Sequence, residues 1–216
     1  MRPDDALLTI AAMPNRLILA LALALALAGR PAAAATDAGE VLAMGGQCFV
    51  VSQGARAPLK IGDQVHVGDT VDVPQGAKLK LRMADGSIIA AAPGSQVTIA
   101  AYEVGGAEKR DAKLSLASGL IRAVVASVGE PQHFEVDTAT GVAAVRSTDW
   151  FIEAGASSTQ VGVLEGAVAL TSAATGHSVR IPARWGARVE AGRDPVQARV
   201  WTAAEFDAVI ARTDVP

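Results

Sequence analysis

Short runs in which hydrophobic and polar residues alternate cover most of the chain, and glycine, proline, aspartate or serine separates them. The clearest run is KLKLRM at residues 78–83, where every second residue is apolar. This period of two predicts a strand with apolar side chains toward a core and charged side chains toward water, in a sheet covered on one side only. The basic residues of this strand, Lys78, Lys80 and Arg82, form a candidate interaction face.

The segment from Gly141 to Leu170 repeats the alternation most regularly. Its short apolar runs are separated by residues 146–148, by residues 155–158, and by Glu165 and Gly166. This arrangement is typical of consecutive strands joined by tight corners. The segment contains neither a nucleophile paired with a base nor a cluster of metal ligands, so it indicates an architecture and no reaction.

Two segments depart from the alternation. Residues 104–111, VGGAEKRD, are the most polar and predict a surface loop. From Trp201 onward, apolar residues follow a helical spacing, and Thr202 to Glu205 has the form of a capping box. This end of the chain predicts an amphipathic helix of about ten residues that docks on the sheet, with Trp201 and Phe206 as core anchors.

Strands of roughly four to seven residues, with turn signals every eight to twelve, predict an all-β fold. The pattern leaves two architectures open: a short-stranded β-roll or solenoid-like fold, and a jelly-roll-like sandwich, each with a C-terminal α-helix. With 216 residues the chain is long enough for one domain with a large core. We predict an all-β domain over residues 36–198, followed by the docking helix over 199–216.

The N-terminus predicts export. Arg16 precedes an apolar run at residues 17–28, which ends at Arg30 and Pro31, and four alanines follow up to Ala35. This is the form of a secretory signal peptide over residues 1–35, with Met13 as a possible true start. The apolar run is shorter than the roughly 20 residues of a membrane-spanning helix, so we expect no stable span after cleavage. The predicted location is periplasmic or secreted.

Composition and spacing favour no catalytic chemistry. The formal net charge is −3 and no basic stripe is present, which gives no reason to expect nucleic acid. The lone Cys48 excludes an internal disulfide and is predicted to be a buried small hydrophobe. The three histidines are far apart in sequence, and no serine lies in a nucleophile elbow. We therefore expect no enzyme, no metal and no cofactor.

Five short motifs, in order along the chain, resemble those of a known family. The motifs are Gly68-Asp69-Thr70 with Gly76; Asp85-Gly86-Ser87 followed by Pro93 and Ser95; Ser118-Gly119 before Leu120; Val145-Arg146-Ser147-Thr148-Asp149-Trp150-Phe151; and Val163-Leu164-Glu165-Gly166-Ala167-Val168. Over residues 68–170 the chain is similar to the periplasmic domain of FecR-type regulators. One departure is Ser147, where the family usually has glycine.

The resemblance implies an all-β domain for protein contact or envelope sensing, without known catalytic residues. Its expected structural corners are formed by Asp85, Gly86, Arg146, Thr148, Glu165 and Gly166. The Arg146 guanidinium is expected to clamp backbone carbonyls or an acid such as Asp149, with ligand recognition as the alternative. Sixteen residues precede the apolar run, too few for the family's cytoplasmic anti-sigma segment, so we expect a stand-alone domain without that role.

Two functions remain open. The first is a secreted, non-catalytic protein-interaction or signal-relay module, which would bind an envelope protein through a sheet edge or the basic strand face. The second is an envelope module that binds peptidoglycan or another glycan. Sugar binding usually needs exposed aromatic rings, and aromatic residues are only 4% of this chain. The exposure of Trp185 is the observation expected to discriminate between them.

Overall fold

The computed structural model describes residues 36–105, 109–127 and 132–215. The predicted signal peptide lies outside these residues. The described part contains seventeen strands and one helix. Their bounds are β1 Asp37–Gly45, β2 Phe49–Ser52, β3 Ala55–Pro58, β4 Gln64–His66, β5 Thr70–Val73, β6 Lys78–Met83, β7 Ile88–Ala91, β8 Ser95–Gly105, β9 Lys109–Val124, β10 Gln132–Asp137, β11 Gly141–Val145, β12 Asp149–Ala154, β13 Ser158–Glu165, β14 Ala167–Ser172, β15 Ser178–Pro182, β16 Trp185–Glu190, β17 Arg199–Val200 and α1 Ala203–Thr213.

The strands form two layers joined by one long strand. Sheet A has the order β4-β1-β6-β7-β9-β12-β13-β16-β17, and sheet B has the order β3-β2-β5-β8-β9-β10-β11-β14-β15. The first half of β9 pairs in sheet B and its last six residues pair in sheet A. The chain crosses repeatedly between the layers and advances along both together, which is the progression of a roll. The predicted all-β fold with a C-terminal helix is confirmed.

The inner faces of both sheets contribute to one hydrophobic core. The alternation predicted for residues 78–83 is present, since Leu79, Leu81 and Met83 are all buried in this core. Trp150 and Ile152 of β12 are fully buried in it as well. Burial of large side chains from both layers stabilises the fold by the hydrophobic effect.

A second, smaller core lies between α1 and the outer face of sheet A. Trp201 and Phe206 pack on Phe151, with ring centroids 5.1 and 6.1 Å from that ring. Two glycines that face each other across β13 and β16, Gly162 and Gly186, leave room for these rings. A Cβ added at Gly162 would lie 2.2 Å from the Phe151 ring, and one at Gly186 would lie 2.0 Å from the Trp201 ring.

The N-terminus of α1 carries the predicted capping box. The Thr202 hydroxyl accepts a hydrogen bond from the Glu205 amide, and the Glu205 carboxylate accepts one from the Thr202 amide at 2.8 Å. Arg199 forms an ion pair with Glu205 at 2.6 Å. The hydrogen bonds from Arg199 and from the Thr202 amide lower the pKa of Glu205 to about 2. The carboxylate therefore stays charged beside the positive end of the helix dipole.

The two edge strands of sheet B share an Arg-x-Pro sequence. In β3 it is Arg56-Ala57-Pro58, and in β15 it is Arg180-Ile181-Pro182. Cys48–Leu59 and Ser172–His177 are hydrogen-bonded pairs, and along an antiparallel ladder such pairs alternate with pairs that are not hydrogen-bonded. Counted from these pairs, Pro58 and Pro182 both occupy positions that are not hydrogen-bonded, so their backbone nitrogens point to the free edge. Proline lacks an N–H group, so each edge offers one donor fewer to another strand.

The lone cysteine lies in the core as predicted. Cys48 is fully buried, and its burial, reinforced by the nearby Asp72 charge, raises the pKa of the thiol to about 11. The thiol therefore stays protonated at neutral pH and is a poor nucleophile. Within residues 36–105, 109–127 and 132–215, no three metal-ligating side chains come together. No helix in this part of the chain is both long and apolar enough to cross a membrane.

Candidate interaction surface

The basic strand face lies against the end of α1. The Lys78 amine donates hydrogen bonds to the carbonyls of Ala211 at 2.8 Å and Asp214 at 2.9 Å. The Lys80 amine donates one to the Val215 carbonyl at 3.1 Å. These amines bind carbonyls at the negative end of the helix dipole. Lys78 and Lys80 therefore act within the domain, and their role as an interaction face stays a prediction.

The third residue of that face has an acidic partner on the neighbouring strand. Arg82 forms an ion pair with Glu40 of β1, and the Arg82 Nε lies 2.8 Å from the Glu40 carboxylate. The Arg82 side chain remains about half exposed. Of the three predicted residues it is the one most accessible to an external partner.

The Asp85-Gly86 corner forms the turn between β6 and β7 and is the centre of a buried polar network. The Asp85 carboxylate accepts hydrogen bonds from the Ser87 amide and hydroxyl, from the Tyr102 hydroxyl at 2.6 Å, and from Arg110 at 2.7 Å. Burial by itself raises the pKa of Asp85, but the hydrogen bonds from Tyr102, Arg110 and Ser87 outweigh it and the pKa is lowered. The carboxylate is therefore charged inside the domain.

Arg110 is the counter-ion of this carboxylate and was missed at the sequence level. Its side chain is fully buried, and it also donates to the carbonyls of Ala126 at 2.9 Å and Arg146 at 2.6 Å. The prediction of a loop over residues 104–111 is wrong at both ends, because β8 extends to Gly105 and β9 begins at Lys109. Arg110 thus joins three separate corners of the chain.

The Arg146–Thr148 and Glu165–Gly166 corners pack against each other. Gly166 has a φ of +84°, and a Cβ there would lie 2.8 Å from the Ser147 carbonyl and 2.9 Å from the Thr148 hydroxyl. Thr148 is buried and donates to the Ala167 carbonyl at 3.4 Å, whereas Glu165 is exposed. The close approach of the two corners therefore requires glycine at position 166.

Arg146 contributes its backbone carbonyl to the buried network, and its side chain is exposed. The acid proposed as its partner, Asp149, receives two hydrogen bonds from Arg122 of β9, at 2.9 and 2.7 Å. The hydrogen bonds with Asp149 raise the pKa of Arg122. The predicted clamp by the Arg146 guanidinium stays a prediction, and Arg122 is the residue that binds Asp149.

Beside these two corners, a groove of about 750 Å³ runs across the outer face of sheet B. Ala144 of β11 and Ala167 and Ala169 of β14 line its floor, and Arg146, His133 and Arg180 line its sides. No acidic residue is among the residues that line it. We call this site the alanine groove.

Trp185, the predicted discriminator for sugar binding, is 36% exposed at the start of β16. It lies opposite the exposed Val200 of β17. Trp150, Trp201 and Tyr102 are buried. Trp185 is thus the one tryptophan of this chain with a substantial accessible surface.

A family model described as "FecR protein" matches residues 69–169, which confirms the predicted resemblance over nearly the same stretch. The fold is similar to that of a protein described as a "putative anti-sigma factor" from Parabacteroides distasonis ATCC 8503, in crystal structures at 1.65 and 2.50 Å resolution. Both have a TM-score of 0.53 and 15% sequence identity, and the similarity covers 64% of this chain and 63% or 62% of theirs. At 15% sequence identity, this structural similarity establishes the fold alone.

No curated protein is similar enough in sequence to count as a match. The family match includes the Asp85 and Gly86 turn, Arg110, and the two corners that border the alanine groove. Residues 69–169 of this chain match the FecR family model, and FecR is thus the family that the chain resembles.

Proposed function

We propose that the protein is a non-catalytic, exported module that relays a signal in the cell envelope by binding another protein. The match of residues 69–169 to the FecR family model is the observation that carries this proposal. The name of the structurally similar anti-sigma factor points to the same class of regulatory proteins. The chain matches about 63% of that protein's length, so no sigma-factor contact is transferred to it.

The polar side chains of the corner motifs also favour a binding role. Asp85 accepts hydrogen bonds from Tyr102 and Arg110 inside the domain, and all three side chains are buried away from a substrate. Thr148 and Gly166 hold two corners together. These residues build the scaffold, and the surface groove beside them is the part that a partner can reach.

Export is tested by locating the protein in the cell. We expect the full chain, expressed in a Gram-negative host, to be recovered from the periplasm with Thr36 as its first residue, 216 − 35 = 181 residues long. Replacement of residues 17–28 by a polar sequence of equal length should keep it in the cytoplasm. Recovery of an uncut wild-type chain in the cytoplasm would rule out the proposed location.

The interaction role is tested with a partner that is identified and then purified. The mature chain is used to capture proteins from an envelope extract, and each captured protein is tested for direct, saturable binding by titration calorimetry. Purified cell-wall polymer is tested in parallel. Retention on the polymer with no direct protein partner would replace this proposal with glycan binding.

One observation favours the glycan alternative. The Trp185 ring is partly exposed and could stack on a sugar ring. If the domain binds peptidoglycan, Trp185→Ala should abolish that binding without changing protein capture. The opposite result, with polymer retention unchanged in Trp185→Ala, would exclude this ring as the platform.

A further inference from the structure

We propose that a small pocket beside Trp201 binds a carboxylate carried on a small aliphatic group, such as the last residue of a peptide. The pocket has a volume of about 240 Å³, and Trp201, Gln160, Arg188 and Gln197 are among the residues that line it. We call it the indole pocket. The inference goes beyond the relay role, because it assigns a ligand group to a pocket that this role does not require.

The indole N–H of Trp201 is a hydrogen-bond donor without a partner. The ring packs on Phe151 and Phe206, with centroid distances of 5.1 and 5.5 Å, and only 7% of the residue is exposed. The Nε1 atom lies 2.0 Å from where a Cβ at Gly186 would be, and Gly186 also lines the pocket. This N–H donates to no residue that the structure describes, and Nε1 is not among the buried polar atoms without a partner. A donor fixed by packing is therefore accessible from the pocket.

The sheet beside the indole supplies two more side chains with unused donors. Gln160 of β13 is in register with Arg188 of β16, and each lies two residues from a glycine of the Gly162–Gly186 pair, so all four positions share the outer face. Neither the Gln160 amide nor the Arg188 guanidinium makes a hydrogen bond within the described chain. The ion pair of Arg188 with Glu190, at 3.8 Å, is longer than a hydrogen bond.

The segment that leads into β17 forms the remaining side. The Val196 amide donates to the Arg188 carbonyl at 2.9 Å, which holds this segment against β16. Val196 is 53% exposed and contributes apolar surface to the pocket. The side-chain amide of Gln197 is exposed and has no partner among the described residues. Unused donors on four side chains thus surround a small apolar surface.

This set of donors matches one carboxylate. An indole and a guanidinium only donate hydrogen bonds, and no acidic residue is among the described residues that line the pocket. Arg199 also lines it, but Arg199 is bound to Glu205 at 2.6 Å, so Arg188 supplies the available positive charge. A carboxylate carries one negative charge and accepts hydrogen bonds through both oxygens. A phosphate monoester carries up to two charges and would be only partly neutralised here.

The size of the pocket limits the rest of the ligand. Its volume of about 240 Å³ is smaller than the roughly 300–1,000 Å³ of pockets that hold drug-sized molecules. A carboxylate with a short aliphatic group is of suitable size, with its methyl or methylene carbons against Val196. The C-terminal residue of a peptide and a free small carboxylic acid both present this chemistry. The experiment therefore includes both sources.

The test is a titration of the chain from Thr36 to Pro216, followed by two-dimensional ¹H–¹⁵N NMR. The probe is N-acetylalanine, which has a free carboxylate, and the matched control is the neutral N-acetylalaninamide. The chain has three tryptophans, and Trp201→Phe identifies the indole signal of Trp201 by its loss. We expect N-acetylalanine to shift this signal in a saturable manner that added salt weakens, and we expect the amide to leave it in place.

Three variants test the contacts. Arg188→Ala should weaken binding roughly tenfold, because it removes a charged hydrogen-bond donor. Gln160→Leu should weaken it about threefold, because it removes a neutral donor. Arg180→Ala removes an exposed arginine of sheet B outside the pocket and should leave binding within about twofold of wild type. With circular dichroism showing that each variant is folded, wild-type affinity in Arg188→Ala, equal binding of the two probes, or an unmoved Trp201 signal would overturn the proposal.

Further ligands separate the two sources of the carboxylate. Tighter binding of Gly-Gly-Ala than of N-acetylalanine would support a peptide terminus, and equal binding of propionate and N-acetylalanine would support a free acid. The relay role is judged separately, by the capture experiment. A purified protein partner that binds Arg188→Ala as it binds wild type would leave the relay role standing, whatever the titration shows. If no protein partner is found, the relay role fails, and the NMR titration still decides whether the indole pocket binds a carboxylate.

Discussion

The buried ion pair of Asp85 and Arg110 concentrates the polar interactions of the domain at one point. A turn, two strands and the carbonyls of two further segments meet there. A buried charge without its counter-ion is costly, whereas this pair is supported by a tyrosine, a serine and two carbonyls. The network makes the position of each corner depend on the others.

Asp85→Asn should destabilise the domain severely. The substitution keeps the shape of the side chain and leaves the Arg110 charge buried without an opposite charge, so we expect a loss of about 3–5 kcal/mol in the free energy of unfolding. Urea denaturation of the purified mature chain measures it. Asp207→Asn, on the exposed side of α1, is the control and should change stability by less than about 0.5 kcal/mol. Similar losses in both variants would contradict the role of the buried pair.

The same carboxylate should make stability fall in acid. Hydrogen bonding keeps the pKa of Asp85 below its usual value despite burial, so its contribution is complete above the unfolded pKa of about 3.9. That contribution is lost as the pH falls through the lower pKa of the folded state. The difference in unfolding free energy between wild type and Asp85→Asn should therefore shrink below about pH 4. A difference that stays constant from pH 7 to pH 3 would be inconsistent with this pKa.

At the scale of elements, the docking of α1 depends on two glycines in the sheet beneath it. Gly162 and Gly186 lie side by side on β13 and β16 and leave a recess for the Phe151 and Trp201 rings. At the other end of the helix, Lys78 and Lys80 bind its last carbonyls. The helix is therefore fixed near its N-terminus by aromatic packing and at its C-terminus by two amines.

Gly186→Ala should displace Trp201 and loosen the helix. The added methyl group would overlap the indole ring, so we expect a loss of about 1–3 kcal/mol in stability and a more solvent-exposed Trp201. Tryptophan fluorescence and limited proteolysis measure the two effects. Gly45→Ala is the matched control, because a Cβ there meets nothing within 4 Å. An unchanged emission spectrum in Gly186→Ala would show that the recess is not needed.

Removal of the two amines should fray the last turn of α1. Lys78→Met combined with Lys80→Met leaves the helix carbonyls without these donors, and we expect a loss of about 1 kcal/mol with faster amide exchange near Thr213. Hydrogen exchange measures the change, and Lys60→Met, on an exposed turn, is the control. Charge reversal of Lys78 and Lys80 would disturb the helix in the same way, so it is a poor test of partner binding.

The local alternation predicted which side chains enter the core, and it could not predict which distant groups meet there. Lys78 was expected to face water, yet its partner Ala211 is 133 residues away in sequence. Arg110 was assigned to a loop because its neighbours are polar. Extending the apolar alternation of Ala112 and Leu114 backwards by two residues would have placed Arg110 on the buried face.

The corners that border the alanine groove were predicted from the sequence, and the groove itself was not. The sequence motifs identified the corners at Thr148 and Gly166 that border it, because glycine and threonine mark tight turns between strands. Arg180 was not identified, since it belongs to a short strand whose position beside β14 depends on the whole sheet. The order of the strands across a sheet is fixed by tertiary packing. The pattern of apolar and polar residues along the chain does not specify that order.

At the scale of the molecule, the two sheets differ in what covers them. Helix α1 packs on the outer face of sheet A, and no other helix or strand layer of the described chain covers the outer face of sheet B. Both edges of sheet B end in an Arg-x-Pro strand, which withholds a backbone donor from a neighbouring molecule. The accessible face of sheet B is therefore available for binding while its edges resist strand addition.

Restoring the missing donors should promote self-association. Pro58→Val with Pro182→Val gives each edge strand an additional outward N–H group and a residue favoured in strands, so we expect concentration-dependent oligomers. Sedimentation velocity measures the oligomeric state. Pro195→Val, outside the strands, is the control and should sediment like wild type. A monomeric double variant at high concentration would indicate that the prolines do not protect the edges.

The sharing of β9 between the layers has a consequence for how the domain folds. This strand pairs with β8 and β10 in one sheet and with β7 and β12 in the other, so neither sheet is continuous until β9 is in place. Strands from both halves of the sequence must meet it, which makes closure of long chain loops part of the folding barrier. We therefore expect the two layers to fold and unfold together, in one cooperative transition with no stable half-folded state.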